Sequence, residues 1–447
     1  MIIATPTPYS IKFESILVEA DRFDTKYEIV KNVVEVNIFE NIDLPYLTAT
    51  ILIADSSNLL NMIDFQGTEK FTIKVKIDGD DSSKIVEKHF IVTDIGGVAP
   101  ANDHSEAITL NLIEDFAYQS RLITVSKAYS GKPEDIIESI LTDNLQKSVK
   151  FPTNFHGTTS RPMKVIVPSI NPLDAVRWIK NRLVSENGMP FFVYSTLNGP
   201  DLFFKDLETI LRSDIMNEKR PYSFGQAFTR YTGGDNVSEQ ARVIENYRLT
   251  RSENMYKLAQ MGTLNSTYYF VDTTKYGSVV DTSIQVNMED IIKDMKDKGI
   301  LSNDQSRPIY DDKFTIGDKT IAEYNPSLYT QIVSSNTFND YANYYEDDDI
   351  TQQKLRMYSR ALRYYLLKSP LDIVMPGFDF LGRGDDITIG RQIRLNFLKN
   401  DPDISEKFED SLDKKRSGEY IIYACRHIMR PEKYSVSMTC TKLGNLA

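Results

Sequence analysis

Apolar and polar positions alternate along much of the first 115 residues. Phe71, Ile73, Val75 and Ile77 are interleaved with Thr72, Lys74 and Lys76, the period of a strand with one face buried. Val34, Val36 and Ile38 repeat the pattern, as do Leu47, Ala49, Ile51 and Ile53, and then Ile108, Leu110 and Leu112. Asp78-Gly79-Asp80-Asp81 and Gly96-Gly97 supply turns. Short alternating strands joined this way predict a barrel or a sandwich.

The period changes over residues 116–205. Pro133 opens a helix with Glu134 and Asp135 in its first turn and Ile136, Ile137, Ile140, Leu141 and Leu145 as its apolar stripe. Asn171-Pro172, an N-cap followed by proline, opens a second, with Asp174 in the first turn and Leu173, Val176, Ile179 and Leu183 as the stripe. Gly188 and Pro190 stop it. Phe191–Tyr194 and Leu202–Phe204 flank Asn198-Gly199 and predict a hairpin.

Residues 206–240 read as a connection, broken by Pro221, Gly225 and Gly233-Gly234. Strand patterns resume at Val243–Leu249 and Leu264–Val271. Residues 287–350 are polar and rich in Asp, Asn and Tyr, an inserted domain or a set of long loops. A helix follows at 352–367, with Leu355, Tyr358, Leu362 and Tyr365 on one side and Arg356, Arg360 and Arg363 on another. The C-terminal 75 residues return to β, where Tyr434, Val436, Met438 and Cys440 alternate with Ser435, Ser437, Thr439 and Thr441.

One pattern occurs twice. Phe71–Ile73, Phe90–Val92 and Ile108–Leu112 form a three-strand cassette after Gly67; Ile387–Ile389, Tyr420–Ile422 and Tyr434–Cys440 form a similar one after Gly382 and Gly384. This predicts two copies of one β unit in the chain.

Composition narrows the class. The 447 residues allow two to four domains, and hydrophobic residues at 41% with charged residues at 26% suit a folded globular chain. The net charge of −11 argues against duplex nucleic acid as the main partner, which favours a basic face. No apolar run approaches the length of a membrane span, so no membrane partner is expected. Met1–Pro8 does not read as a signal peptide. Cys425 and Cys440 are the only cysteines, a count that excludes a disulfide framework or a zinc site, and they read as reduced core thiols. Tyr 25 and Phe 22 against Trp 1 suits strands and contact surfaces.

Catalytic signatures are sparse. His89, His104, His156 and His427 are not at metal-ligand spacing, and no nucleophile elbow or phosphate loop occurs. His89 and His427 read as structural. Gly377–Asp386 is glycine-rich without a phosphate fingerprint; it reads as a connecting turn, or else as a contact loop on a partner. Asp347-Asp348-Asp349 lacks the spacing of an EF-hand loop and reads as a solvated face. The Arg356/Arg360/Arg363 stripe reads as a solvated face or an interface stripe. No catalytic, cofactor-binding or metal residue is nominated, no cofactor is expected, and the chain reads as a structural protein rather than an enzyme.

The order of segments resembles the central baseplate hub proteins of contractile-tailed bacteriophages. The resemblance is carried by Ile11–Leu17, Pro45–Ser56 leading to Gly67–Lys70, Pro168–Ile179, Phe191–Tyr194 with Asp201–Phe204, Pro376–Gly384, and Gly418–Ile428 closing on Met438–Leu443. It covers most of the chain, with 206–240 and 287–350 matched poorly. It implies an α+β, mainly β fold with two similar tail-tube-like β-barrel domains, a small α+β domain and an inserted domain. The implied domains are 1–115 (first barrel), 116–205 (α+β), 206–286 with 351–447 (second barrel), and 287–350 (insertion). It also implies a homotrimer whose six barrels form a pseudo-hexameric ring. That ring would join the tail tube or its initiator proteins to a central spike protein, among surrounding baseplate proteins. DNA would cross the channel as a passenger, with acids concentrated on the channel wall. The implied location is the virion tail, assembled in the bacterial host cytoplasm. Two other readings fit the same sequence: a tail-associated cell-wall hydrolase and a hexameric tube-adaptor protein.

Overall fold

The computed structural model describes residues 10–22, 26–56, 59–80, 82–102, 105–151, 163–224, 240–249, 255–260, 262–272, 279–305, 313–325, 328–333, 350–399 and 410–444. The N-terminal strands are β1 (Ile11–Glu19), β2 (Tyr27–Glu28), β3 (Val33–Asn41), β4 (Thr48–Asp55), β5 (Lys70–Ile77), β6 (Val86–Asn102) and β7 (Ser105–Glu114). The middle segment carries β8 (Ala128–Gly131), β9 (Val149–Lys150), β10 (Met163–Ile166), β11 (Phe191–Ser195) and β12 (Leu202–Asp206). Then come β13 (Tyr222–Phe224), β14 (Val243–Ile244), β15 (Asn246–Leu249), β16 (Asn265–Asp272), β17 (Val279–Asn287), β18 (Thr315–Ile316), β19 (Lys319–Thr320) and β20 (Leu328–Val333). The last four are β21 (Leu371–Pro376), β22 (Gln392–Phe397), β23 (Gly418–Arg430) and β24 (Lys433–Thr441). The fold is α+β and mainly β.

Fourteen strands make one sheet, and it is two copies of one arrangement. The first runs β2-β1-β5-β6-β7-β4-β3 and the second β14-β13-β22-β23-β24-β21-β15. Strand by strand the order is the same. One strand runs the other way: β1 lies antiparallel to both β5 and β2, whereas β13 lies parallel to both β22 and β14. In each copy the second and third strands belong to one continuous segment that reaches both ends of the ladder (27–41 and 243–249). A segment that short holds the two ends near each other, so each sheet curls; no closed barrel ladder is found among the described residues.

The alternation selects the core. Ile73, Val75 and Ile77 are at most 1% exposed, and Leu47, Ile51, Ile108 and Leu110 are sealed. Val34 departs from the expected pattern. The ladder shifts register between Val33 and Glu35, so Val34 turns outward and is 41% exposed while Val33 is buried. The second cassette also departs at its first strand. Ile387–Ile389 is bend and turn, and the strand lies at Gln392–Phe397. Gly390, at φ +68, makes the turn that starts the strand later.

Side chains between Phe116 and Phe204 build a second hydrophobic cluster around helices Asp115–Leu122, Pro133–Leu145 and Pro172–Lys180, while Phe192, Tyr194, Leu207 and Ile210 face the main core. Asn171 caps the last, its side chain accepting from Asp174 N at 3.1 Å. That helix ends at Lys180, short of Gly188; Leu183 is still buried beyond it. β11 and β12 form the expected hairpin.

Between β15 and β21 lies a third body. β16 pairs with β17 and β20 in a separate three-stranded sheet, so the strand pattern at 264–271 belongs there and not to the large sheet. Helix Met288–Asp297 follows β17, capped by Asn287. Helix Ile350–Leu366 then leads back, burying Met357, Ala361, Leu362, Tyr365 and Leu366. No helix among the described residues is long and apolar enough to cross a membrane.

Candidate assembly interface

The two seven-strand units join through one ladder. β3 and β23 pair antiparallel, with Glu40 opposite Cys425 and Ile38 opposite His427. Residues two apart on a strand share a face, so the seam has two different sides. On the outer side Arg430 Nε donates to Glu35 Oε2 at 2.7 Å and Arg426 Nε to Asn37 Oδ1 at 3.0 Å. Burial pushes the Glu35 carboxyl up, but bonds from Asn37 and Arg430 hold it below the ordinary carboxylate range. On the inner side Glu40, Cys425 and His427 are sealed.

Behind the seam, the middle segment wedges between both units. The β11–β12 turn reaches the glycine-rich loop: Asn198 Nδ2 donates to Phe380 O at 3.0 Å and Gly382 N to Asn198 Oδ1 at 2.7 Å. Thr196 Oγ1 donates to Asp385 O at 2.7 Å. Lys150 holds Asp385 at 2.7 Å and Asp201 at 3.0 Å, and those two bonds raise its pKa. Lys205 bonds to Asp386. Toward the N-terminal unit, Lys84 N donates to Gly382 O at 2.9 Å and Arg383 pairs with Asp80 at 2.7 Å.

Asp43, in the turn after β3, gathers groups from three regions. Lys180 Nζ lies 3.5 Å away and Arg363 Nη1 3.4 Å, and the Tyr423 hydroxyl bonds its other oxygen. Burial lowers the Lys180 pKa to about 8, and the Arg363 charge adds to the fall. Burial also raises the Tyr423 hydroxyl, with Asp43 reinforcing the shift.

These placements answer several sequence readings. The arginine stripe splits: Arg363 also donates to Phe191 O and stacks over Phe192, while Arg360 is exposed. The polar contacts of Gly377–Asp386 described above run to its own chain. His89 is half-exposed, its Nδ1 3.1 Å from Thr72 Oγ1. His427 is buried, its Nδ1 2.7 Å from the Tyr434 hydroxyl. Cys425 and Cys440 are buried and unbridged. His104, His156 and Asp347–Asp349 lie outside the described residues. Among the described residues, Glu40, Cys425 and His427 form a group able to hold a metal ion. Sequence reading passed over Glu40, although its signal was present: it occupies an inward phase of β3, in step with Val36 and Ile38.

Ladders, salt links between distant segments and a sealed polar cluster are the chemistry of joining bodies. No protein-family model and no curated protein matches the chain. Solved structures do. The tail protein from Neisseria meningitidis MC58 aligns over 97% of this chain and 97% of its own, with a TM-score of 0.53 at 11% identity. The 43 kDa tail protein of prophage MuSo2 from Shewanella oneidensis aligns over 96% and 98%, with a TM-score of 0.51 at 10% identity. The class these likenesses define is the fold of phage-type tail proteins, end to end.

Proposed function

We propose that the chain is the structural hub of a contractile tail's baseplate. Three copies close a pseudo-hexameric ring that connects the tail tube to a central spike and leaves a channel for DNA. Its partners are itself, the spike, the tube or its initiator, and neighbouring baseplate proteins. The four-part division expected from the sequence serves this role, with two tube-like units in the ring and the others outside it.

One observation carries the reading. The two units are alike in strand order, yet their free edges are used unequally. The outer half of β23 carries β3 of the first unit. Its counterpart, the outer half of β6, pairs with β7 but has no strand on its other edge from Thr93 onward among the described residues. Among the described residues β15, the counterpart of β3, pairs only with β21. Residues Thr93–Pro100 are all exposed, including Ile95 at 41% and Val98 at 45%. A long exposed edge is a template for another strand. The arrangement supports β15 of one copy pairing with β6 of the next, repeating between chains the seam found within one.

Light scattering on the chain, alone and with its spike, tests this. Three copies are expected, and Ile95→Lys with Val98→Lys should leave folded single chains. Six copies would favour a tube adaptor, and a monomer in the presence of the spike would overturn the ring. Acids are expected on the channel wall; a strongly basic wall in an image of the assembled ring would remove that part.

A further inference from the structure

The inner side of the β3–β23 seam brings together Glu40, Cys425 and His427. Glu40 faces Cys425 directly across the ladder, and His427 is two residues further along the same face. Their exposures are 2%, 2% and 0%. One donor atom from each lies within 4.8 Å of the other two.

The hydrogen bonding is incomplete in a place without bulk solvent. Glu40 Oε1 accepts the Leu197 amide. Glu40 Oε2 and His427 Nε2 satisfy no hydrogen-bond geometry. The Nε2–Oε1 approach is 3.4 Å, longer than a good N–H···O bond. A sealed carboxylate whose neighbouring imidazole meets it only loosely is costly to keep away from water. The other ring nitrogen is held: Nδ1 sits 2.7 Å from the Tyr434 hydroxyl. A proton on Nδ1, accepted by that hydroxyl, turns the Nε2 lone pair toward Glu40 and Cys425, the outer-sphere arrangement of a metal-bound imidazole.

We propose that Glu40, Cys425 and His427 hold a divalent late transition-metal ion, zinc by preference, which staples the two seven-strand units at their seam. A carboxylate, a thiolate and an imidazole form a mixed donor set that suits zinc and its neighbours and not calcium or magnesium. Bonds of about 2.0–2.3 Å around a tetrahedral ion set ligand atoms roughly 3.3–3.7 Å apart. The imidazole–carboxylate approach already has that spacing, and the thiol closes the rest by side-chain rotation. The Thr388 hydroxyl borders the same carboxylate, an outer-sphere contact that orients it. Binding forms metal–sulfur, metal–nitrogen and metal–oxygen bonds and releases the Cys425 thiol proton to water. One dication then balances one carboxylate and one thiolate. Counting cysteines sees only cysteine-built sites, and this one takes its ligands from two strands far apart in sequence.

The test is metal content of the full chain, grown with added zinc and purified without a histidine tag or chelator. Mass spectrometry of the metal should find a stoichiometric ion per chain. Growth with cobalt instead should give an intense near-ultraviolet thiolate-to-cobalt band. Cys425→Ser should lower occupancy at least tenfold and abolish that band, while Cys440→Ser keeps both. Circular dichroism verifies that each variant folds, and if Cys425→Ser does not, the wild-type readings decide alone. Folded wild-type chain with substoichiometric zinc and no cobalt–thiolate band would overturn the proposal and leave a plain Glu40–His427 pair.

Discussion

Lys88 Nζ lies 3.2 Å from Glu114 Oε1, with the two side chains only 7% and 4% exposed. Lys88 also donates to Gly199 O at 2.8 Å, and Glu114 Oε2 accepts Leu47 N at 2.7 Å. The pair thus ties β6, β7 and the turn before β4 to the middle segment. Removing one partner of a sealed pair strands the other's charge. Lys88→Met should destabilise the chain by about 3–5 kcal/mol, read as a lower urea midpoint. Lys88→Met with Glu114→Gln should recover part of the loss, because glutamine keeps an acceptor for Leu47 without the charge. Equal midpoints for the wild type and Lys88→Met would show the pair to be idle.

Gly382 sits at φ +70, and a Cβ there would press into the Lys84 carbonyl oxygen. The clash is with backbone, which cannot swing aside. Gly382→Ala should cost about 2–4 kcal/mol from left-handed strain plus overpacking. Gly97→Ala is the control: its Cβ meets nothing within 4 Å, and a change within about 0.5 kcal/mol is expected. Thermal melts of both variants separate the two outcomes.

Lys180 gives a pH dependence with a definite sign. Its folded pKa of about 8 lies below the ordinary lysine value of 10.5. The unfolded chain therefore binds more protons between those values, and this group makes stability rise with pH there. Below about pH 8 its burial penalty is fully present. Between pH 8 and 10 roughly 2 kcal/mol of that penalty should be relieved. Lys180→Met has no such proton to lose, so the gain should appear in wild type and not in the variant when urea midpoints are compared across pH. Parallel pH curves for the two would contradict the assignment.

Much of the fold was legible because its causes are local. Leu47–Ile53 and Tyr434–Cys440 alternate because one face is buried, and Asn171-Pro172 caps a helix through its own side chain. What was hidden depends on pairing at a distance. Nothing near Asn265–Asp272 announces that its partner is Leu328–Val333. The parallel register of β13 on β22 leaves no mark in either strand. Ile387-Thr-Ile389 looks like a strand until the Gly390 turn is known. The seam cluster was the least legible, since Glu40 and His427 belong to opposite ends of the chain and meet only through the β3–β23 register.

That register has a consequence for synthesis. β3 is made well before β23, the strand that covers its edge. Until Gly418–Arg430 leaves the ribosome, the N-terminal unit carries a bare edge, and any prematurely terminated product carries it permanently. Only molecules synthesised through Arg430 present a finished first unit to their neighbours.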